Sequence, residues 1–310
     1  MELFIFPFKS MGCPCELRIY AGQKHQAQLA AKACMDEATR FEQKYSRYLD
    51  SSAATEINRS AGIKPVEIDA ETYAILKYAG VCYEQSNGLF DISSGVLRHV
   101  WHTQRSELPS EDEILRHLNL VGWEKVELSD QNIFLPISGM ELDFGGIVKE
   151  YAADAIAALA RTMSIRHGLV NLGGDISIIG PQVNNRPWPI GIVHPTIADT
   201  AISVIHLANG ALATSGGYER YVEIAGKRYS HLINPQTGWP VESLLSVSVV
   251  AEQAVVAGSV SSIALLQGEQ LGLNWLSTIG LKYLAIDADL HCNGAVGRDS
   301  FSSGSPVAHE

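Results

Sequence analysis

Apolar residues recur at three- and four-residue spacing in six stretches of the chain, which is the pattern of helices that bury one face. Local signals support several of these helices. Pro109-Ser110 is a typical start signal before the third stretch, and Asn87-Gly88 is a typical stop signal after the second. The pattern predicts helices over residues 26–48, 70–86, 111–118, 147–163, 253–267 and 269–278.

Short apolar segments divided by Gly, Pro, Asn and Asp indicate strands in much of the remaining chain. Residues 3–8 and 15–20 resemble two strands, and residues 121–142 resemble hairpins. From Gly168 onward the composition is that of an antiparallel sheet. Because no linker or low-complexity tract divides the sequence, we predict one α+β domain over residues 1–310, with antiparallel sheets and packed helices.

Composition narrows the class of protein. With 310 residues, 46% of them hydrophobic, the chain can bury a large core, and a formal charge of -11 argues against partners such as nucleic acid or anionic lipid. The five cysteines are scattered and odd in number, which does not indicate a disulfide framework. The sequence has no basic, apolar signal segment at its start and no run of about 18 apolar residues. We therefore expect a cytoplasmic protein without membrane insertion.

Three strand ends carry paired glycines beside Asp, Asn, Ser or Thr: residues 142–151, residues 171–175, and residues 213–220 together with 230–238, the last two expected to share one hairpin. Glycine permits close approach of a ligand, and a helix start exposes N–H groups. An ordinary turn or helix cap explains each segment alone, and a lone histidine such as His231 is more often not a catalyst. The usual nucleotide-binding loops are absent from the sequence. Together, the three segments indicate a site for a long ligand that carries phosphates.

Taken in order, the motifs of this chain resemble those of the ApbE family of flavin transferases. The resemblance covers about residues 5 to 285 and consists of short motifs in register rather than one long match. The matching segments are Met11-Gly12-Cys13, the region from Phe41 to Tyr48 with Ser46, Gly88-Leu89-Phe90-Asp91-Ile92-Ser93 with the later Leu97 and Trp101, the L-D-x-G-G-I-x-K segment ending at Lys149, N-L-G-G-D at 171–175, A-T-S-G at 213–216, S-H-x-I-N-P-x-T-G at 230–238, and a final small-residue helix.

The resemblance implies a duplicated T-fold of the α+β class that holds FAD in a cleft. It implies cleavage of the FAD pyrophosphate, attachment of FMN through a phosphoester bond to a Thr or Ser of a target flavoprotein, and release of AMP. The family's acceptor motif has the form D-x-x-[ST]-[GS]-A-[TS]. His231 matches the position of the general base that takes the proton from the acceptor hydroxyl. The positions that the resemblance assigns to FAD binding are Met11, Tyr48, Leu89, Phe90, Asp91, Asp143, Lys149, Ser215 and Ile233.

The resemblance also implies a divalent cation, Mg²⁺, near the pyrophosphate, and here the sequence departs from the family. The family frame A-D-x-x-x-T supplies an Asp and a Thr, whereas this chain has Gly258 and Ser262. Ser262 still offers a hydroxyl, and the backbone carbonyl of Gly146 matches the third ligand. Glu150 stands where many members have glycine and is a candidate for the replacement carboxylate, although it follows the predicted helix start. Mg²⁺ prefers oxygen ligands and keeps several waters, so we expect a weakened metal site.

Two other functions are also compatible with the sequence. A FAD-binding protein that has lost transfer activity would explain the missing Asp, and a FAD pyrophosphatase would release free FMN and AMP without modifying a protein. A structural or interaction role leaves the series of motifs unexplained. Release of AMP and the fate of FMN distinguish these functions.

Overall fold

The computed structural model describes residues 1–102, 104–197, 200–217, 221–242 and 244–294. Most helices lie in the first half of the chain and most strands in the second, and every pair of neighbouring strands in the described sheets is antiparallel. The strands are β1 Glu2–Ser10, β2 Cys13–Ala21, β3 Val66–Glu67, β4 Glu127–Leu128, β5 Asn132–Phe134, β6 Gly168–Leu172, β7 Asp175–Gly180, β8 Trp188–Val193, β9 Ala201–Leu207, β10 Ala211–Gly216, β11 Tyr221–Ile224, β12 Lys227–Ser230, β13 Ser246–Ala251, β14 Lys282–Ile286 and β15 Cys292–Gly294.

Three of the described α-helices begin at side-chain caps. The side chains of Ser52, Asp69 and Ser110 each accept a hydrogen bond from a backbone N–H three residues later, which satisfies a donor that the first helical turn leaves without an intrahelical partner. The helices are α1 Lys24–Tyr45, α2 Ala53–Arg59, α3 Ala70–Gln85, α4 Glu111–Leu118, α5 Val148–Thr162, α6 Ala254–Leu266 and α7 Glu269–Thr278, with short 3-10 helices at Gly95–His99, Trp123–Lys125, Phe144–Gly146 and Val183–Asn185.

An eight-stranded sheet with the order β1-β2-β6-β7-β10-β13-β14-β15 organises the fold. Helices α1, α5 and α6 pack on one face of it, where Leu17, Phe41 and Phe144 are fully buried. Much of its other face is covered by the hairpin of β8 and β9, whose Trp188 packs with Ile176 of the sheet. Because both faces of the central strands are covered, β7 is an almost unbroken buried run rather than an alternating one.

The structure confirms the predicted α+β class with antiparallel sheets. Helices α4 and α7 have the predicted bounds, and the other four predicted helices differ by at most three residues at either end. Helix α2 and the strands β3, β14 and β15 were not predicted. In the described part of the chain, no helix has both the length and the apolar character that crossing a bilayer requires.

Two pairing expectations are wrong. The strands after Gly168 do not form one sheet, because β8-β9 and β11-β12 are separate two-stranded sheets. Residues 213–216 and 230–238 do not share a hairpin either, since β10 pairs with β7 and β13 while β11 pairs with β12. An alternating pattern indicates that a strand buries one face, but it does not identify the neighbour to which the strand is hydrogen-bonded.

Candidate active site

An ion pair between a half-buried lysine and a buried aspartate joins two of the glycine-bearing segments. Lys149 lies in the first turn of α5 and Asp175 is the first residue of β7, with the Lys149 Nζ 2.8 Å from the Asp175 Oδ2. Only 2% of the Asp175 side chain is exposed. Burial alone would lower the pKa of Lys149, but the charges of Asp175 and Glu150 outweigh it and raise that pKa above its ordinary value. The ammonium group is therefore charged at neutral pH, in the form that attracts a phosphate.

The turn before Asp175 lies against the turn between β1 and β2. Gly173 has a φ of +62°, and a Cβ atom at this position would lie 2.7 Å from the Cys13 Sγ and 3.8 Å from the Lys149 Nζ. A side chain here would be strained by its backbone conformation and would also collide with Cys13. Glycine thus lets the N-L-G-G-D turn lie against the segment that contains Met11, which has a φ of +50° and packs on the main core. Two motifs far apart in sequence meet beside Lys149.

Asp143, predicted to bind the flavin nucleotide, is held by a residue that the sequence analysis did not single out. Its carboxylate forms a short ion pair with Arg47 and accepts a hydrogen bond of 2.9 Å from the Gly145 N–H. Arg47 also donates to the Tyr48 hydroxyl at 2.9 Å, and its guanidinium carbon lies 4.9 Å from the Tyr48 ring centroid. Arg47 therefore links Asp143 to Tyr48, whose side chain is largely exposed. The only sequence signal for it was its position between Ser46 and Tyr48.

The Leu89-Phe90-Asp91 segment presents mainly Leu89 towards solvent, since Phe90 and Asp91 are buried. One oxygen of Asp91 accepts from the Ser93 N–H at 2.8 Å and the other from the Trp123 N–H at 3.1 Å. Burial raises the pKa of Asp91, and these hydrogen bonds oppose the rise. The observed contacts of Asp91 support the shape of this loop, and its direct contact with a flavin nucleotide stays a prediction.

The His231 loop docks on the segment that contains Leu89. The Gln236 side chain donates to the Asn87 carbonyl at 2.8 Å, and the Trp101 Nε1 donates to the Gly238 carbonyl at 2.7 Å. His231 itself is exposed and follows directly after β12. Ile233 is half-buried and packs with the buried residues Val96, Leu97 and Val100.

The end of β10 reaches the same loop through Gly217. A Cβ atom on Gly217 would lie 2.9 Å from the Ser230 Oγ, so this glycine lies directly against the residue that precedes His231. Ser215 and His231 therefore belong to neighbouring segments although their strands are not paired. Tyr218 to Arg220, the last residues of the motif that begins at Ala213, lie outside the described residues.

Ser215, on β10, contacts two hydroxyl groups of α6. Its Oγ lies 2.7 Å from the Ser261 Oγ and 3.0 Å from the Ser262 Oγ. The 3-10 helix that ends at Gly146 packs against the same helix, so two proposed metal ligands, the Gly146 carbonyl and the Ser262 hydroxyl, come from adjoining elements. Among residues 1–294, apart from those the structure leaves undescribed, no group of three or more His, Cys, Asp and Glu side chains forms a cation site.

The carboxylate of Glu150 lies beside Gly258, the position of the missing family Asp. A Cβ atom on Gly258 would lie 2.6 Å from the Glu150 Cγ and 2.8 Å from its Oε1. Burial, with the nearby charge of Asp175, raises the pKa of Glu150, and Lys149 opposes the rise. Hydroxyl, carbonyl and carboxylate oxygens thus adjoin α6, and this donor set fits a hard cation that retains water.

Comparisons with known proteins agree with these motifs. The sequence model of the ApbE family matches residues 11–285. A FAD:protein FMN transferase of Treponema pallidum is 30% identical over 83% of this chain and 77% of its own length, and one of Klebsiella pneumoniae is 29% identical over 79% and 76%. The crystal structure of the ApbE protein of Thermotoga maritima superposes with a TM-score of 0.88 at 29% identity, covering 95% of this chain and 97% of that one.

A flavin transferase ApbE from Vibrio cholerae has a TM-score of 0.84, with 96% of this chain and 97% of that chain covered. At 21% identity, this likeness concerns the fold alone. The matched family range includes every predicted site residue, from Met11 to Ser262. Because the family's sequence model matches residues 11–285, and relatives about 30% identical match most of the chain, the chain belongs to the ApbE family.

Proposed function

We propose that the protein is a FAD:protein FMN transferase. It cleaves the pyrophosphate of FAD, attaches FMN through a phosphoester bond to a Thr or Ser of a target flavoprotein, and releases AMP. The observation that carries the proposal is the convergence of Lys149, Asp175 and the turn of Met11 at one place, in a chain whose curated relatives are named FAD:protein FMN transferase.

Lys149 is suited to hold a phosphate of FAD. Its ammonium group is anchored by Asp175 rather than free to turn into solvent, and it lies beside the glycine turn, 3.8 Å from where a Cβ atom on Gly173 would be. As a pyrophosphate is attacked, negative charge builds on the phosphoryl oxygens, so a fixed cation stabilises the transition state more than a mobile one does. Met11, Tyr48, Leu89, Asp143, Ser215 and Ile233 are proposed to complete the FAD site, with Phe90 and Asp91 shaping the loop beneath it.

His231 is proposed as the general base. A hydroxyl nucleophile is weak at neutral pH, and a histidine within hydrogen-bond reach can take its proton as the bond to phosphorus forms. His231 is exposed, which suits a residue that meets a side chain of a second protein. The loop after His231 is fixed by hydrogen bonds from Gln236 to Asn87 and from Trp101 to Gly238, so the imidazole is carried next to a supported segment.

Mg²⁺ is proposed as the divalent cation of this reaction, with the Gly146 carbonyl and the Ser262 hydroxyl among its ligands. When bound, such an ion neutralises charge on the pyrophosphate. The proposed partners are FAD and a target flavoprotein with an acceptor Thr or Ser, without nucleic acid or membrane insertion. A cytoplasmic location is also proposed, since five scattered cysteines do not have the pattern of the disulfide framework of a secreted protein.

Mass spectrometry of an acceptor peptide tests the proposal. The full chain is incubated with FAD, Mg²⁺ and a peptide carrying D-x-x-[ST]-[GS]-A-[TS], and the nucleotides are separated by chromatography. We expect the peptide to gain one FMN and the solution to gain an equal amount of AMP. A peptide with Ala in place of the acceptor hydroxyl is the matched control.

Each other result identifies another function. AMP together with free FMN, and no change in peptide mass, would indicate a FAD pyrophosphatase. FAD that stays bound and intact would indicate a binding protein. A chelator in a parallel reaction reports whether the reaction depends on a divalent cation.

A further inference from the structure

Glu150 is a buried acid with incomplete hydrogen bonding. Only 7% of the residue is exposed, and its Oε2 has no hydrogen-bond partner in the described part of the chain. Buried carboxylates in proteins are paired, hydrogen-bonded or bound to a metal, because removing an ion from water without compensation is costly. The position of Oε2 therefore requires an explanation.

Neighbouring groups do not supply the missing partner. The nearby Lys149 ammonium lies 2.8 Å from Asp175 and is engaged there. Asp154, one turn further along α5, accepts hydrogen bonds from the Ala254 and Val255 N–H groups at the start of α6. This part of the structure thus places more carboxylates than ammonium groups between α5 and α6, which favours a cation.

Gly258 creates the space that Glu150 fills. A side chain at position 258 would collide with the Glu150 Cγ and Oε1, so glycine on α6 and glutamate on α5 are sterically matched. Residue 262 lies one turn further along the same face of α6, where the Ser262 hydroxyl contacts Ser215. In the family frame the carboxylate belongs to position 258 and position 150 is commonly glycine. Here the two residue types are exchanged between facing helices, and a carboxylate remains in the same space.

We propose that Glu150 is the carboxylate ligand of a divalent cation, reaching from α5 into the space beside Gly258 and acting with the Ser262 hydroxyl and the Gly146 carbonyl. Glu150 replaces the carboxylate that Gly258 cannot supply, and water fills the remaining coordination positions. The role of the cation in pyrophosphate cleavage rests on the proposed function, whereas its binding does not.

Electron paramagnetic resonance with Mn²⁺ as the probe measures the binding directly. The full chain is titrated with Mn²⁺, with and without FAD, and the signal of free Mn²⁺ gives the dissociation constant. We expect Glu150→Gln to weaken Mn²⁺ binding at least about tenfold, since even groups behind the ligands change metal affinity by that factor. Asp287→Asn is the control, because Asp287 is a largely shielded carboxylate, with 14% of its side chain exposed, and lies directly after β14 rather than between α5 and α6. The Mn²⁺ affinity of this variant should match that of the wild type.

A second set of variants moves the carboxylate. Glu150→Gly should lose Mn²⁺ affinity, and the double variant Glu150→Gly/Gly258→Asp should regain it, with circular dichroism verifying that each is folded. Wild-type protein that binds no Mn²⁺ in either condition, or Glu150→Gln protein that binds it as tightly as the wild type, would overturn the inference. Peptide flavinylation with Mn²⁺ affinity independent of Glu150 would leave the proposed function intact. Mn²⁺ binding that depends on Glu150, without flavinylation of the peptide, would support the cation site and contradict the proposed function.

Discussion

The Lys149 ammonium lies 2.8 Å from the Asp175 carboxylate, and this contact links the start of α5 to the start of β7 beside the turn that contains Met11. Asp175 is almost fully buried, so its charge depends on Lys149 for compensation. The ion pair therefore has two consequences, one for folding and one for ligand binding, which substitutions can separate.

Lys149→Met should lower the free energy of unfolding by about 3 kcal/mol, because it leaves the Asp175 charge buried without its partner. It should also weaken FAD binding by about tenfold or more, the worth of one charged hydrogen bond. In the double variant Lys149→Met/Asp175→Asn, stability should largely return while FAD affinity stays low. Urea unfolding and quenching of flavin fluorescence measure the two effects. If the double variant recovered FAD affinity as fully as stability, Lys149 would contribute to the fold alone.

His231→Ala should retain FAD binding and lose FMN transfer by about 100-fold or more, since general-base catalysis contributes a factor of that size. His206→Ala is a matched control, because His206 is also exposed but lies on β9, away from the His231 loop. The rate of AMP release in the presence of acceptor peptide provides the measurement. A His231→Ala rate equal to that of the control would remove His231 from the mechanism.

Arg47→Met and Asp143→Ala should each weaken FAD binding, because either change breaks the ion pair that holds Asp143 and Tyr48 in place. The double variant should be little weaker than either single variant, since both remove the same interaction. Isothermal titration with FAD measures all three dissociation constants. Additive losses in binding free energy would mean that the two residues act independently.

Gly173→Ala should destabilise the protein by about 1–3 kcal/mol, because the backbone has positive φ and the new methyl group meets the Cys13 side chain. Gly22→Ala is the control, as its position has open space and no positive φ. Thermal unfolding followed by circular dichroism compares the two. A Gly173→Ala protein as stable as the control would contradict the close approach of the two turns.

Stability should fall in acid through Asp69, which caps α3 and pairs with Lys44. Burial would raise the pKa of Asp69, but hydrogen bonds from Lys44 and Thr72 outweigh it and lower that pKa from 3.8 to about 2. Since the folded state binds this proton less tightly, the stabilisation is complete above pH 3.8 and is lost as the pH falls towards 2. Asp69→Asn should have a lower free energy of unfolding than the wild type at pH 6, and the difference between the two proteins should be smaller at pH 3. A difference independent of pH would refute the charge contribution.

Most of the fold was predictable because its signals are local. Helix α4 has apolar spacing and a start signal at Pro109-Ser110 directly before it, and α7 has apolar spacing in its own residues, so their bounds followed from the sequence. Helix α2 has only seven residues, too few to repeat a helical pattern, and it was missed although Ser52 caps it. The pairing of β10 with β13 was also missed, because hydrogen bonds between strands distant in sequence leave no local pattern.

The sequence also identified individual site residues, but the contacts between them are visible only in the structure. The resemblance named Asp143 and Tyr48, but only the structure shows that Arg47 connects them. It named Asp91 without indicating that both carboxylate oxygens are bonded to backbone N–H groups. The proposed roles of these residues in binding FAD remain predictions that the substitutions above test.

The sequence by itself determined the α+β class, most element positions, the motif series and the exchange of residue types at positions 150 and 258, since each of these is written in local pattern or residue identity. Only the tertiary structure decided that Glu150 occupies the space beside Gly258, that Gly173 lies against Cys13 and that Gly217 adjoins Ser230. The physical reason is that close packing brings together side chains whose separation along the chain carries no signal of their contact.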